Sequence, residues 1–140
     1  MTAIVPAGLP SAALLAEAGA TLLAASLRIR LQKFQRVADW AIADGKGLVS
    51  LNLAEVAQIR QAVLVWCRRV PWRALCMEQA VTAARMIARR GHIVELYYGV
   101  SLREHEVKAH VWCKSGNLEV TGCEVADEYV SLMRFPREGL

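Results

Sequence analysis

Leu75 to Val100 reads LCMEQAVTAARMIARRGHIVELYYGV, and the spacing of its apolar residues changes once along the way. Up to Arg90 the apolar positions Met77, Ala80, Ala84, Ile87 and Ala88 recur every three or four residues, which is one face of a helix. Arg89, Arg90 and Gly91 suit the end of that helix. Cations complement the negative pole of the helix dipole, and glycine accepts the left-handed turn on which many helices close. From His92 onward the spacing is two: Val94, Leu96, Tyr98 and Val100 share one face of a strand over 93–100. A helix over about 75–90 thus hands over to β-structure.

Working outward, the residues before this point read as helix and those after it as sheet. Ser11 caps a helix running to about Ala43, with a bend expected in so long an element. Its apolar positions are Leu14, Leu15, Ala18, Leu22, Leu23 and Leu27, then Leu31, Phe34 and Val37 or Ala38. Asp44-Gly-Lys-Gly47 breaks the pattern. Asn52 with Glu55 starts a second helix through about Arg69, striped by Val56, Ile59, Val63 and Trp66, and Pro71 ends it. Downstream, 106–113 places Val107, Ala109, Val111 and Cys113 on one face, and His110 and Trp112 on the other. Residues 117–123 place Leu118 and Val120 against Glu119, Thr121 and Cys123, with a Ser115-Gly116 turn between the two strands. A short helix or coil over 125–133 closes the chain. Helices first and an antiparallel sheet second is an α+β fold. One domain is expected over 1–140: a flexible lead at 1–10, a helical part at 11–70 and a core at 71–135.

The composition narrows the function. The chain has 140 residues, 55% hydrophobic and 21% charged, with a net charge of +4, so a packed globule is favoured over disorder. The basic residues are scattered rather than gathered into a stripe with aromatics, which argues against nucleic acid. Residues 11–27 are nearly all apolar but contain Glu17 and fall short of the roughly 20 residues of a membrane span. The expectation is a helix packed on the core, in a cytoplasmic protein. The four cysteines, Cys67, Cys76, Cys113 and Cys123, form no CxxC pair, and without a secretory signal they stay reduced.

Cys76 opens the helix that starts at Leu75. Unpaired N–H groups and the positive dipole end favour thiolate there and suit a developing oxyanion. His110 follows 34 residues later on a strand, beside Trp112. A neutral imidazole there takes the thiol proton and returns it to a leaving amine. A buried cysteine and a structural histidine are the plainer reading of each residue alone. Gln79, one turn after Cys76, faces either the site or a structural polar contact. Trp72 either lines a peptide groove or packs on the helix, and His92 and His105 read as loop residues.

Three stretches taken together, VPWRALCMEQA (Val70–Ala80), ARRGHIVELYYGV (Ala88–Val100) and KAHVW (Lys108–Trp112), resemble the transglutaminase-like leader peptidases of lasso-peptide biosynthesis over roughly 60–135. The resemblance implies a papain- or transglutaminase-like core with a Cys-His-acid site. It implies Cys76 as nucleophile and His110 as base, and no cofactor or metal for the hydrolysis itself. The substrate is then a ribosomal precursor peptide, cut at its leader–core junction. The implied partners are a separate leader-binding protein similar to the pyrroloquinoline-quinone chaperone and an ATP-dependent macrolactam cyclase. The chain reads as the catalytic half of such a split pair. The acid departs from the pattern, because the level of His110 on the returning strand falls on Thr121, Gly122 or Cys123. Strand parity points to Glu119 and comparison with the family to Glu124. A strand bulge would reverse the parity argument, and a main-chain carbonyl or Thr121 is a weaker substitute for either. Acyl transfer to an amine and a non-catalytic peptide-binding scaffold are the alternative functions.

Overall fold

A computed structural model describes residues 9–45, 47, 51–103 and 105–136. Most of the expected lead, and Lys46 of the expected break, lie outside the described residues. Four helices come first: α1 (Ala12–Leu31), α2 (Phe34–Ile42), α3 (Leu53–Cys67) and α4 (Cys76–Arg89). Then come β1 (Glu95–Arg103), β2 (Glu106–Ser115), β3 (Leu118–Thr121), a 3₁₀ turn (Cys123–Glu128) and β4 (Val130–Phe135). The antiparallel sheet has the order β3-β2-β1-β4. This is the α+β architecture the period change implies.

The helix starts are set by local chemistry. Ser11 Oγ accepts the Leu14 N–H, and Asn52 Oδ1 accepts the Glu55 N–H at 2.8 Å. The single long helix expected from Ser11 to Ala43 is two, because Gln32 and Lys33 are both extended. No glycine or proline dictates that break. It re-aims α2 so that Val37, Ala38 and Ala41 are buried and α2 packs on α4. α1 is long and apolar enough to cross a membrane by length and composition. In the fold it buries Ala18, Leu22 and Ala25 and lies on α3 and α4, while Leu23, Leu27 and Leu31 are exposed.

α4 is the central element, touching α1, α2, α3 and the face of β2. Its alanines at 80, 83, 84 and 88 are all fully buried, and side chains this small let neighbouring helices approach closely. On the sheet, Leu96, Val111, Cys113, Val120 and Phe135 point into the same core. Tyr98 joins them through Phe34, whose ring centroid lies 5.3 Å away.

Three details depart from the sequence reading. The turn between β2 and β3 is Gly116-Asn117 rather than Ser115-Gly116, since Ser115 pairs with Leu118 and Gly116 carries φ +61°. β3 ends at Thr121 and is bulged: Lys114 faces Glu119 but Cys113 faces Thr121, so Thr121 turns to the core side with Val120 instead of joining Glu119. The final segment, expected as helix or coil, contains β4, paired with β1. Only its last residue is buried, and a shift in register at Tyr98/Gly99 skips Leu132, so strand alternation is not visible in the sequence.

Candidate functional site

His110 lies on β2 opposite Gly99 of β1. Its neighbours Val111 and Cys113 go into the core, so alternation turns the imidazole, with Trp112, onto the other face of the sheet. There it belongs to a row of stacked rings. Tyr97 lies 5.6 Å from Trp112 at 8°, Trp112 lies 5.7 Å from His110 at 22°, and His110 lies 5.0 Å from Tyr129 at 28°. Gly99 makes the row fit, because a Cβ there would come within 2.9 Å of the Trp112 ring. The imidazole is 8% exposed.

The hydrogen bond it makes among the described residues fixes its tautomer. Nε2 lies 2.7 Å from the carbonyl oxygen of Gly122. A carbonyl only accepts, so Nε2 carries the proton and Nδ1 the lone pair. Gly122 follows the last residue of β3 with φ +72°, the left-handed region where glycine is at ease. A Cβ at this position would lie 3.0 Å from Nε2 itself.

Cys76 is the first residue of α4 and is half-buried. Glu78 reaches back to accept the Leu75 N–H at 3.1 Å, while the amides of Cys76, Met77 and Glu78 have no acceptor within the helix. The helix that opens with Cys76 packs on the core face of the strand whose opposite face carries His110. No hydrogen bond joins the Cys76 sulfur to the imidazole among the described residues; the ring bonds Gly122. The other thiols are poor nucleophiles near neutral pH. Burial, with Glu78 nearby, pushes Cys67 up to about 11. Burial also raises Cys113, well above the ordinary value, and Cys123.

Neither carboxylate singled out in the sequence reaches the imidazole. Glu119 shares the face of His110, as parity requires, but pairs with Lys114, about 13 Å along β2 at roughly 3.3 Å per residue. Glu124 is exposed on the 3₁₀ turn, 3.9 Å from Arg60. Gln79 hydrogen-bonds the Ala74 carbonyl, and Trp72 donates to Ser26 of α1 at 2.9 Å. His105 is exposed in the turn before β2, whereas His92 is half-buried. Two groups that hold the imidazole, the Gly122 carbonyl and Tyr129, were not singled out as such in the sequence. Gly122 carried a signal, as a glycine at the end of a strand and at the level of the missing acid. Tyr129 carried none.

A family model described as the transglutaminase-like superfamily matches residues 20–134, from within α1 to the penultimate residue of β4. Neither a curated protein nor a solved structure matches the chain. The matched span takes in α4 with Cys76, β2 with His110 and the strands that flank β2. The chain belongs to the transglutaminase-like superfamily.

Proposed function

We propose that this protein is a cysteine peptidase that releases the leader from a ribosomal precursor peptide. The observation that carries the reading is the state of His110: a buried imidazole whose Nε2–H is tied to Gly122, leaving Nδ1 as a base, on the strand packed by the helix that begins with Cys76. In the reaction, Nδ1 takes the proton from Cys76. The sulfur then attacks the carbonyl at the leader–core junction. Backbone N–H groups at the start of α4 hold the oxyanion. The imidazolium protonates the departing amine, and water cleaves the thioester and frees the leader. A separate leader-binding protein raises the local concentration of precursor, and an ATP-dependent cyclase takes up the freed core, all in the cytoplasm.

The lack of a carboxylate on His110 among the described residues favours a second reading, a peptide-binding scaffold that keeps the fold without turnover. One experiment separates them. Purified precursor and leader-binding protein are incubated with the native chain, Cys76→Ala and His110→Ala, and leader release is followed by mass spectrometry. The peptidase reading expects losses of about 1,000-fold or more in both variants. Release undiminished in Cys76→Ala, or absent from the native chain, contradicts it. A product carrying an amine instead of water would identify acyl transfer.

A further inference from the structure

We infer that Tyr129 and the Gly122 carbonyl together perform, for His110, the task that a carboxylate performs in a Cys-His-acid site, with Tyr129 as the positioning residue. The inference deepens the peptidase reading and, for its kinetic part, rests on it. An acid partner does two things: it fixes which ring nitrogen carries the proton, and it stabilises the ring once it becomes charged. The Gly122 oxygen, 2.7 Å from Nε2, does the first so long as the Tyr129 ring stacked on the imidazole keeps Nε2 in line with it. It does the second only in part, being a dipole rather than a charge. The aromatic faces supply more. Tyr129 stacks on the imidazole at 5.0 Å and 28°, and Trp112 at 5.7 Å and 22°. A cation against such faces is attracted by their quadrupoles, more strongly where water is excluded, and the imidazole is almost fully buried.

The proton balance is simple. The S–H bond of Cys76 breaks, a bond from Nδ1 to hydrogen forms, and the positive charge spreads over a ring flanked by two aromatic faces. Nε2–H then donates to Gly122 as a charged donor, which strengthens that bond. Tyr129 acts through its ring face. Its backbone N–H is satisfied by Ala126, and its hydroxyl makes no hydrogen bond among the described residues. The site thereby runs without Glu119 or Glu124, both of which lie elsewhere.

The test compares Tyr129→Leu, Tyr129→Met and Tyr129→Phe. Nitrogen-15 spectra of the histidine rings, with His110→Gln to assign the signal, report the tautomer without any turnover. Leader release reports kcat and KM. The native chain and Tyr129→Phe are expected to hold the Nε2–H tautomer and the same kcat. The two ring-less variants are expected to mix tautomers and to lose roughly tenfold in kcat, with KM within about twofold. Native tautomer and kcat in both ring-less variants overturn the inference, as does a loss in Tyr129→Phe equal to that in Tyr129→Leu. If cleavage proves independent of Cys76, the peptidase reading falls while the ring spectra still decide whether Tyr129 positions His110.

Discussion

At Gly122 the backbone sits at φ +72°, and the place a Cβ would take is 3.0 Å from His110 Nε2 and 2.9 Å from the Val111 carbonyl. Gly122→Ala therefore strains the backbone and pushes on the ring it orients. The expected cost is about 1–2 kcal/mol of stability, read from urea unfolding, together with reduced leader release. Gly122→Asp is expected to fare no better, although it places an acid at the level of the histidine, because its Cβ meets the same atoms. Glu119→Gln and Glu124→Gln are expected to leave cleavage within about threefold of native, since Glu119 lies level with Lys114 and Glu124 beside Arg60, neither at the imidazole. A tenfold loss in either would restore that residue as the acid. At this scale the sequence was informative where chemistry resides in side-chain type. A cysteine opening a helix and a histidine on a strand beside Trp112 are visible as letters. A main-chain carbonyl leaves no mark in residue types, and Tyr129 lies in a stretch without periodicity. The distance of Glu119 from the imidazole depends on where the β3 bulge falls, which parity alone does not fix.

Between elements, α1 is tied to α4 by one carboxylate. Glu17 accepts hydrogen bonds from Arg90 at 2.6 and 2.9 Å and from Arg89 at 3.0 Å. The Arg90 hydrogen bond lowers the Glu17 carboxyl below its ordinary value, against the opposing effect of burial. A carboxylate depressed in the folded state adds stability above its unfolded pKa and loses it as pH falls through the folded one. Glu17→Gln is thus expected to cost about 1 kcal/mol at pH 7, a figure kept low because the arginines are partly solvated. Below the folded pKa the gap to the native chain should close. Urea midpoints at pH 7 and pH 3 check this, and an equal gap at both would show that the pair contributes packing alone. The apolar stripe of α1 was legible as helix. Its separation from α2 was not, because the break at Gln32-Lys33 answers to the burial of Val37, Ala38 and Ala41 rather than to any local breaker.

For the whole molecule, the change of period after Arg90 was enough to order helices before sheet, since a spacing of three to four cannot serve a strand. β4 escaped because its exposed residues, Val130 to Leu132, show no alternation, and its register is fixed by β1 rather than by its own pattern. The distribution of thiols is a property of the whole fold as well. Three cysteines sit where burial holds the proton on sulfur, and the fourth opens α4. Alkylation at neutral pH is therefore expected to map to Cys76, and equally fast modification of Cys67 or Cys123 would contradict that ordering.

The most direct measurement of the link between sulfur and imidazole is the rate at which iodoacetamide modifies Cys76 at pH 6, in the native chain and in His110→Gln, with the modified residue identified by peptide mass. A working pair predicts a drop of at least about tenfold when the base is removed. The same rate in both proteins would mean that Cys76 and His110 do not act on one another.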